Sequence, residues 1–215
     1  MRLLRGLQPK IFVMENVSGM VKGKMKLIFA NMLRLLKASG YQVSARLLNA
    51  MYFGVPQSRE RMIFVGVRND LGKAPSHPQA WSIPVTVKQA LCSVGDSEIE
   101  TPILSPLQIQ RYGEIKRGSA HSTRFSFVRT AWNAPSNTIV KERGSGGLFH
   151  PDIPRLLHHA ELKRIGAWPD HVRFIGDFDT ALNRIGNSVP PLFMRSIALH
   201  VRREILDSPP APINE

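Results

Sequence analysis

The strongest indication of the fold is the sequence PKIFVMENV at residues 9–17. Its apolar run from Ile11 to Met14 is continuous rather than alternating, which favours a strand that is buried on both faces. Glu15, Asn16 and Val17 follow at the carboxyl end of that strand, where ligands bind in open α/β sheets. The stretch therefore predicts a buried strand with polar, ligand-binding residues just beyond it.

The residues downstream predict a helix and two further strands. The helix is expected at about residues 23–39, with Gly40 as its stop signal. Its apolar face is predicted to hold Met25, Ile28, Met32, Leu35 and Leu36. A strand is expected at 41–47, where apolar and polar residues alternate, and another at 61–67, after a loop at 52–59. Residues 1–68 therefore predict part of an α/β sheet.

The composition changes near Asn69. From there to about Arg155 the chain is rich in Pro, Ser, Thr and Gly, which predicts an irregular lobe that is mostly β or loop. A helix is then expected from Arg155 to Trp168, stopped by Pro169. A last amphipathic helix is expected from Pro190 to Leu206, with one face made of Phe193, Ile197, Ala198, Val201 and Ile205.

The charge of the chain points to a polyanionic partner. The net charge is +13, and residues 1–68 hold 12 of the Lys and Arg residues but only 2 Asp or Glu. Such a surplus favours nucleic acid, and an acidic partner segment would account for it equally well. The one cysteine, Cys92, excludes an internal disulfide and a cysteine-based metal cluster. No signal peptide or membrane-spanning run is found, so we expect a cytoplasmic protein.

Four local patterns occur in a characteristic order. They are ENV at residues 15–17, QSRER at 57–61, RLLHHAELKRIGAWP at 155–169 and GNSVPP at 186–191. In this order, with a variable stretch between the second and the third, they resemble motifs of the DNA cytosine-5 methyltransferase family. The third pattern departs from the family at His158, Gly166 and Trp168, where Thr, Gln and Phe are usual.

The resemblance implies an α/β fold, a fragment of a Rossmann-like methyltransferase sheet plus a smaller, irregular, mostly-β target-recognition lobe. It assigns residues 1–68 to the catalytic domain, 69–182 to the recognition lobe, 183–208 to a closing segment and helix, and 209–215 to a flexible tail. It also implies the cofactor S-adenosylmethionine, double-stranded DNA as partner, base flipping and no metal. A place beside bacterial or phage DNA, in restriction–modification, follows from the same resemblance.

The resemblance also assigns roles to individual residues. Glu15 would grip the ring nitrogen and amino edge of a flipped cytosine, Arg61 would hold the cytosine O2, and Arg59 would brace the site. Glu15 and Arg61 must then converge on one cleft. Asn16 and Gln57 are assigned to substrate binding, Gln57 through the backbone of its loop.

Other residues are assigned to the cofactor and to the recognition lobe. Asn187 and Ser188 would close the cofactor pocket, with Gly186 allowing close backbone approach. Ser188 also reads as the N-cap of the final helix. Arg155, Glu161 and Arg164 would organise the recognition lobe by buried pairing. The candidates for DNA contacts within residues 76–154 are His121, Thr123, Arg124, Arg129, Lys141 and Arg143.

Two loops of the family are not found in these 215 residues: the Gly-rich cofactor loop and the Pro-Cys loop that carries the nucleophile. Cys92 lies in LCS and reads as a buried thiol, and the glycines at 144–147 follow no convincing strand. We therefore expect an enzyme chain that is inactive without an N-terminal methyltransferase polypeptide. The alternatives are a non-catalytic DNA-binding or specificity subunit and an inactive truncated relic.

Overall fold

The computed structural model describes residues 2–21, 25–94, 99–122, 124–142, 144 and 146–209. They form two compact units. The first unit comprises Met1–Asn49, Glu60–Gln79 and Arg195–Glu215, and the second comprises Ala50–Arg59 and Ala80–Met194.

The first unit contains a three-stranded sheet and its helices. Its elements are α1 (Arg2–Leu7), β1 (Ile11–Val17), a 3-10 turn (Ser18–Val21), α2 (Met25–Lys37), β2 (Tyr41–Asn49), β3 (Glu60–Arg68), a second 3-10 turn (Asn69–Leu71) and a π-helical segment (Val201–Leu206).

The second unit is irregular and carries short elements. They are a 3-10 turn (Ala50–Phe53), α3 (Val87–Leu91), α4 (Pro106–Glu114), β4 (Ser119–His121), β5 (Arg124–Arg129), β6 (Gly147–Phe149), α5 (His159–Ile165) and α6 (Phe178–Asn187). Helix α7 (Pro191–His200) begins in the second unit and ends in the first.

The sheet of the first unit has the order β1-β3-β2, and both pairs are antiparallel. The central strand β3 is the buried one, since Ile63, Val65 and Val67 are fully buried. Strand β1 lies at an edge, and the residues from Ile11 to Asn16 are only partly buried. The prediction of a fully buried first strand is therefore wrong, because among the described strands β1 has a neighbour on one side only.

Helix α2 covers one face of this sheet. Phe29, Met32, Leu33 and Leu36 pack in a cluster with Met62 and Phe64. The predicted helix is confirmed at Met25–Lys37, while Gly23 lies outside the described residues. Met25 and Ile28, which were predicted to face inward, are exposed, because the spacing that meets the sheet is that of residues 29, 32, 33 and 36. Gly40 ends this region with a φ of 91°, in the left-handed region that glycine favours.

The second unit has its own core and a small sheet. Strand β5 pairs antiparallel with β4 and parallel with β6. Phe127 stacks on Phe149 with ring centroids 3.9 Å apart, and both rings are fully buried in the main apolar cluster of this unit. The lobe was predicted to be irregular and mostly β or loop; this unit is irregular, and it holds three short strands together with the helices α3, α4, α5 and α6.

Three helices of the second unit begin with the same local device. The N-cap residues Thr86, Ser105 and His158 each accept a hydrogen bond from the backbone three residues on, and a Gln or Glu there bonds back to the N-cap backbone. This capping box satisfies backbone N–H groups that a helix start leaves open. His158 takes the part usually played by a hydroxyl, and its bond, 3.4 Å from Glu161 N to Nδ1, is as long as the bond from Gln108 N to Ser105 Oγ.

The C-terminal helices differ in part from the prediction. The helix expected from Arg155 begins only at His159, because Leu156 bridges to Phe149 and Leu157 N donates to Leu148 O, alongside β6. Helix α6 was not predicted. Ser188 is its C-cap and not the N-cap of the final helix. The last helix is confirmed from Pro191, with Phe193, Ile197, Val201 and Ile205 buried and Ala198 exposed. Among the described residues, no helix is long and apolar enough to cross a bilayer.

Candidate functional site

Glu15 and Arg61 lie together on one face of the first unit's sheet. In the register of β1 and β3, Glu15 is opposite Ile63 and Val17 is opposite Arg61. Because side chains alternate between faces along a strand, Glu15 and Arg61 are diagonal neighbours on the same face. Arg61 Nε is 2.7 Å from Glu15 Oε1. The expected convergence of these two residues is therefore found in the structure.

The geometry of the pair leaves it open to a ligand. Arg61 Nη1 also donates to Glu60 O at 2.7 Å, which fixes the guanidinium at the start of β3. The Glu15 side chain is 29% exposed and the Arg61 side chain is 14% exposed, so both are partly shielded from solvent and still accessible to a ligand. A carboxyl group and a guanidinium side by side offer an acceptor and several donors to a planar polar ring.

Asn16 does not join this pair. Strand alternation puts it on the other face of the sheet. Its Oδ1 accepts a hydrogen bond from Val17 N at 2.8 Å, which satisfies the backbone at the end of β1. The strand continues through Glu15 and Asn16 to Val17, so the ENV triplet ends the strand instead of following it.

Gln57 and Arg59 are buried in the second unit, with exposures of 1% and 3%. Arg59 donates from Nη1 to Ile139 O at 3.0 Å and from Nη2 to Gly186 O at 2.7 Å. Gln57 Oε1 accepts from Ile139 N at 3.1 Å, and its Nε2 donates to Ile165 O at 3.5 Å. Both side chains therefore bind main-chain groups of distant segments, which is the arrangement that a bracing role requires.

Gly186 is required by close backbone approach. A Cβ atom added there would lie 2.6 Å from the carbonyl of Val140 and from Lys141 N. The sequence predicted that Gly186 allows close approach of a backbone, and in the structure the backbone that approaches it is that of Val140 and Lys141. Of its neighbours, Asn187 is exposed and donates from Nδ2 to Asn183 Oδ1 at 2.9 Å, and Ser188 Oγ donates to Ile185 O at 2.7 Å.

Arg155 and Glu161 form the expected pair in the second unit. The contact is bidentate, at 2.7 and 2.9 Å, and Glu161 is 5% exposed. Burial alone would raise the pKa of Glu161, but the hydrogen bonds from Arg155 and from the His158 backbone outweigh it and hold that pKa below its ordinary value. Arg164 pairs instead with Asp170, which is exposed.

The candidate DNA contacts of the second unit differ in how they are held. Arg129 is engaged internally: its guanidinium lies 4.4 Å over the Tyr112 ring and donates to Pro151 O and Ile115 O. Lys141 is exposed, with Glu142 at 3.6 Å. His121 lies 3.7 Å from Glu114. Thr123, Arg143 and the side chain of Arg124 lie outside the described residues.

Cys92 is exposed at the C-terminal end of α3. The expectation of a buried thiol is therefore wrong; an apolar neighbour in sequence, Leu91, does not ensure burial next to the end of so short a helix. Among the described residues, no group of three or more His, Cys, Asp or Glu side chains is placed to hold a metal ion.

Comparison with known proteins identifies the family of this chain and supports its α/β fold. The family model for C-5 cytosine-specific DNA methylases matches residues 1–203, and the chain belongs to that family. The Type II methyltransferase M.BspRI of Lysinibacillus sphaericus is 31% identical over 231 residues, covering 96% of this chain and 54% of that protein. The Type II methyltransferase M.NgoFVII of Neisseria gonorrhoeae is 29% identical, covering 89% of this chain and 58% of that protein. The chain thus spans a little over half the length of these curated relatives.

Solved structures share the fold. A crystal structure described as a DNA modification methyltransferase encoded within an E. coli prophage superposes with a TM-score of 0.76 at 22% identity, covering 96% of this chain and 72% of that one. The S. pombe Dnmt2 methyltransferase gives a TM-score of 0.57 at 16% identity, covering 91% of this chain and 67% of that one. The predicted fold class is confirmed by these likenesses.

Proposed function

We propose that this protein takes part in methyl transfer from S-adenosylmethionine to C5 of cytosine in double-stranded DNA, as in restriction–modification. The observation that carries the proposal is the ion pair of Glu15 and Arg61, which unites two family motifs on one sheet face. A cytoplasmic location, where DNA and the cofactor meet, belongs to the same proposal.

Glu15 and Arg61 supply the two polar contacts that a flipped cytosine needs. Extruding a base costs a few kcal/mol, so the pocket must offer compensating contacts. Glu15 would bind the ring nitrogen and amino edge, and Arg61 the carbonyl oxygen. When a nucleophile adds at C6, negative charge develops on the ring; a proton that Glu15 takes up from solvent as the base replaces Arg61 beside it, together with the charge of Arg61, then stabilises the ring. Glu15 and Arg61 are paired with each other in the structure, so each group has a polar partner that a bound base can replace.

Arg59 and Gln57 act in this proposal as positioning residues. Their hydrogen bonds to Ile139, Ile165 and Gly186 are all to main-chain groups, so neither side chain needs to touch the base to serve the site. Gln57 and Asn16 then serve substrate binding through the backbone that each of them orders.

Asn187 and Ser188 are the residues of this chain that would hold the amino-acid end of S-adenosylmethionine. Asn187 is exposed, and no hydrogen bond to its Oδ1 occurs among the described residues, which fits an acceptor for an ammonium group. The cofactor supplies the electrophilic methyl group. Ser188 is turned toward Ile185 O, so its contribution would come from its position next to Asn187.

The nucleophile is proposed to come from outside these residues. Cys92 is exposed but has no preceding proline, and no other cysteine occurs in the 215 residues. We therefore expect that these residues alone transfer no methyl group, and that an N-terminal methyltransferase polypeptide with the Gly-rich and Pro-Cys loops restores transfer. Transfer by the 215 residues alone that survives Cys92→Ser would contradict this. Complementation that fails while DNA binding persists would favour a DNA-binding or specificity subunit.

The assignment of Glu15 is tested in the complemented enzyme. Glu15→Gln is expected to lower turnover more than DNA binding, because its proton matters mainly once the nucleophile has added. Arg61→Ala should weaken both. The matched control is Arg34→Ala, an exposed arginine on α2 whose hydrogen bond is to Asn31, which should leave turnover unchanged. Full turnover in Glu15→Gln would remove Glu15 from the catalytic set.

A further inference from the structure

We propose that His150 is a pH-sensitive latch, whose neutral ring holds closed the turn at residues 150–153 and whose protonation opens it. The proposal does not depend on the methyltransferase assignment. It rests on the hydrogen-bonding geometry of one buried ring in the second unit.

The ring of His150 accepts two backbone hydrogen bonds at the same atom. Asp152 N and Ile153 N each lie 3.1 Å from His150 Nδ1. A ring nitrogen that accepts a hydrogen bond carries no proton, so Nδ1 is unprotonated and the neutral ring carries its hydrogen on Nε2. Further bonds close the same turn, from His150 N to Arg155 O at 3.0 Å and from Arg155 N to Ile153 O at 2.7 Å.

The ring is also shielded from water. His150 is 7% exposed, and the ring of Trp132 meets it edge to face with centroids 5.2 Å apart. A protonated Nδ1 is a hydrogen-bond donor and no longer an acceptor. The N–H groups of Asp152 and Ile153 would then face another N–H and would have no acceptor. A buried donor without a partner is costly, so the closed turn and the charged ring exclude each other.

The charged groups around the ring are mixed in sign. Arg155 and His158 disfavour its protonation, whereas Glu161 and Asp152 favour it, and Arg155 and Glu161 are themselves paired. The pKa of His150 lies below its ordinary value. Burial is the largest cause, and the charge of Arg155 is the next. On the remaining sides of the turn, Tyr112 donates its hydroxyl to His150 O, and Arg117 and Arg129 both donate to Pro151 O.

Residues of the turn accept hydrogen bonds from two arginines and a tryptophan, so opening the turn changes how these three side chains are bound. Pro151 O accepts from Arg117 Nε at 3.2 Å and from Arg129 Nε at 2.9 Å. The Asp152 carboxylate accepts from Trp132 Nε1 at 2.6 Å and pairs with Arg117. Opening the turn removes these acceptors together, so protonation of one ring is coupled to the release of the Arg117 guanidinium; Arg129 loses one hydrogen bond and keeps Ile115 O and the Tyr112 ring.

The sign of the pH dependence follows from the depressed pKa. In the unfolded chain or the opened turn the ring takes up a proton near the ordinary histidine value of 6.5. The closed turn takes it up only at lower pH. The stabilisation by the latch is therefore complete above that ordinary value and is lost as the pH falls below it.

The test compares the unaltered chain with His150→Asn. The Asn Oδ1 occupies the place of Nδ1, accepts the same two N–H groups and does not titrate. Below pH 6.5, exchange of the Asp152 and Ile153 amides, corrected for intrinsic rates, should rise about tenfold in the unaltered chain, as loss of two hydrogen bonds implies. It should stay flat in His150→Asn. The control is His171→Asn, an exposed histidine of the same unit, which should behave as the unaltered chain.

A second measurement needs no variant. Nitrogen-15 shifts of the His150 ring at neutral pH should show an unprotonated Nδ1 and a protonated Nε2. A proton on Nδ1 at neutral pH would overturn the proposal, as would the same pH profile of amide exchange in the unaltered chain and in His150→Asn.

Discussion

Gly186→Ala is expected to destabilise the second unit, although alanine is the better helix former. In an open helix position the change would gain about 1 kcal/mol. At residue 186 the new Cβ would lie 2.6 Å from the backbone of Val140 and Lys141, which no side-chain rotation can relieve. Overpacking of this kind costs about 1–3 kcal/mol. If α6 moves away, the 2.7 Å bond from Arg59 to Gly186 O is lost as well, a charged hydrogen bond that contributes about 1.5–3 kcal/mol.

The balance predicts a net loss of about 2–4 kcal/mol in the free energy of unfolding. Urea unfolding followed by tryptophan fluorescence measures it, because Trp81, Trp132 and Trp168 all belong to the second unit. The midpoint should fall by about 1–2 M urea, given usual denaturant slopes. The matched control is Gly113→Ala in α4, where an added Cβ meets nothing within 4 Å and stability should not fall. A Gly186→Ala protein as stable as the control would refute the reasoning.

Three further outcomes are expected. Glu161→Gln should lower stability at neutral pH by about 2 kcal/mol, because it weakens the charged hydrogen bonds between the buried Glu161 and the half-buried Arg155. Since the pKa of Glu161 is lowered, its stabilisation is present above the ordinary carboxyl pKa and is lost as the pH falls through the lowered one, so urea midpoints of Glu161→Gln should depend less on pH in acid. Arg59→Lys should destabilise the chain, because an ammonium group cannot reach both Ile139 O and Gly186 O as a guanidinium fork does; unchanged thermal melting would contradict a bracing role. Cys92→Ser should leave stability and DNA binding within error, since the thiol is exposed; a clear loss in either would show that the cysteine has a role.

Local patterns predicted most of the first unit. The helix at Met25–Lys37 and the strands β2 and β3 follow from periodicity, and the meeting of Glu15 with Arg61 follows once β1 and β3 pair. The partial burial of β1 did not follow, because an apolar run gives no information on how many neighbours a strand has. Ile28 faces solvent because α2 has more apolar residues than its contact with the sheet can cover. Phe29, Met32, Leu33 and Leu36 make that contact, and the sequence alone does not show which apolar residues do so.

Helix α6 had a signal that was overlooked. Asp177 is its N-cap, and Phe178, Ala181, Leu182 and Ile185 are buried at helical spacing. The GNSVPP motif at 186–191 contains both the end of α6 and the residues before α7, and Ser188 belongs to the end of α6. Tertiary contacts explain the rest: Leu156 and Leu157 pair with the backbone of β6, which no local propensity encodes. The buried positions of Gln57 and Arg59 likewise depend on segments between 80 and 127 residues away.

The capping boxes at Thr86, Ser105 and His158 fix three helix starts through local hydrogen bonds. Each start is specified by four consecutive residues, and such a cap contributes about 1 kcal/mol wherever the helix lies. The loops between these helices can therefore gain or lose residues without erasing where a helix begins. A lobe built in this way can diversify by insertion and deletion, so new surfaces arise from changes in loop length while the helix starts are inherited unchanged.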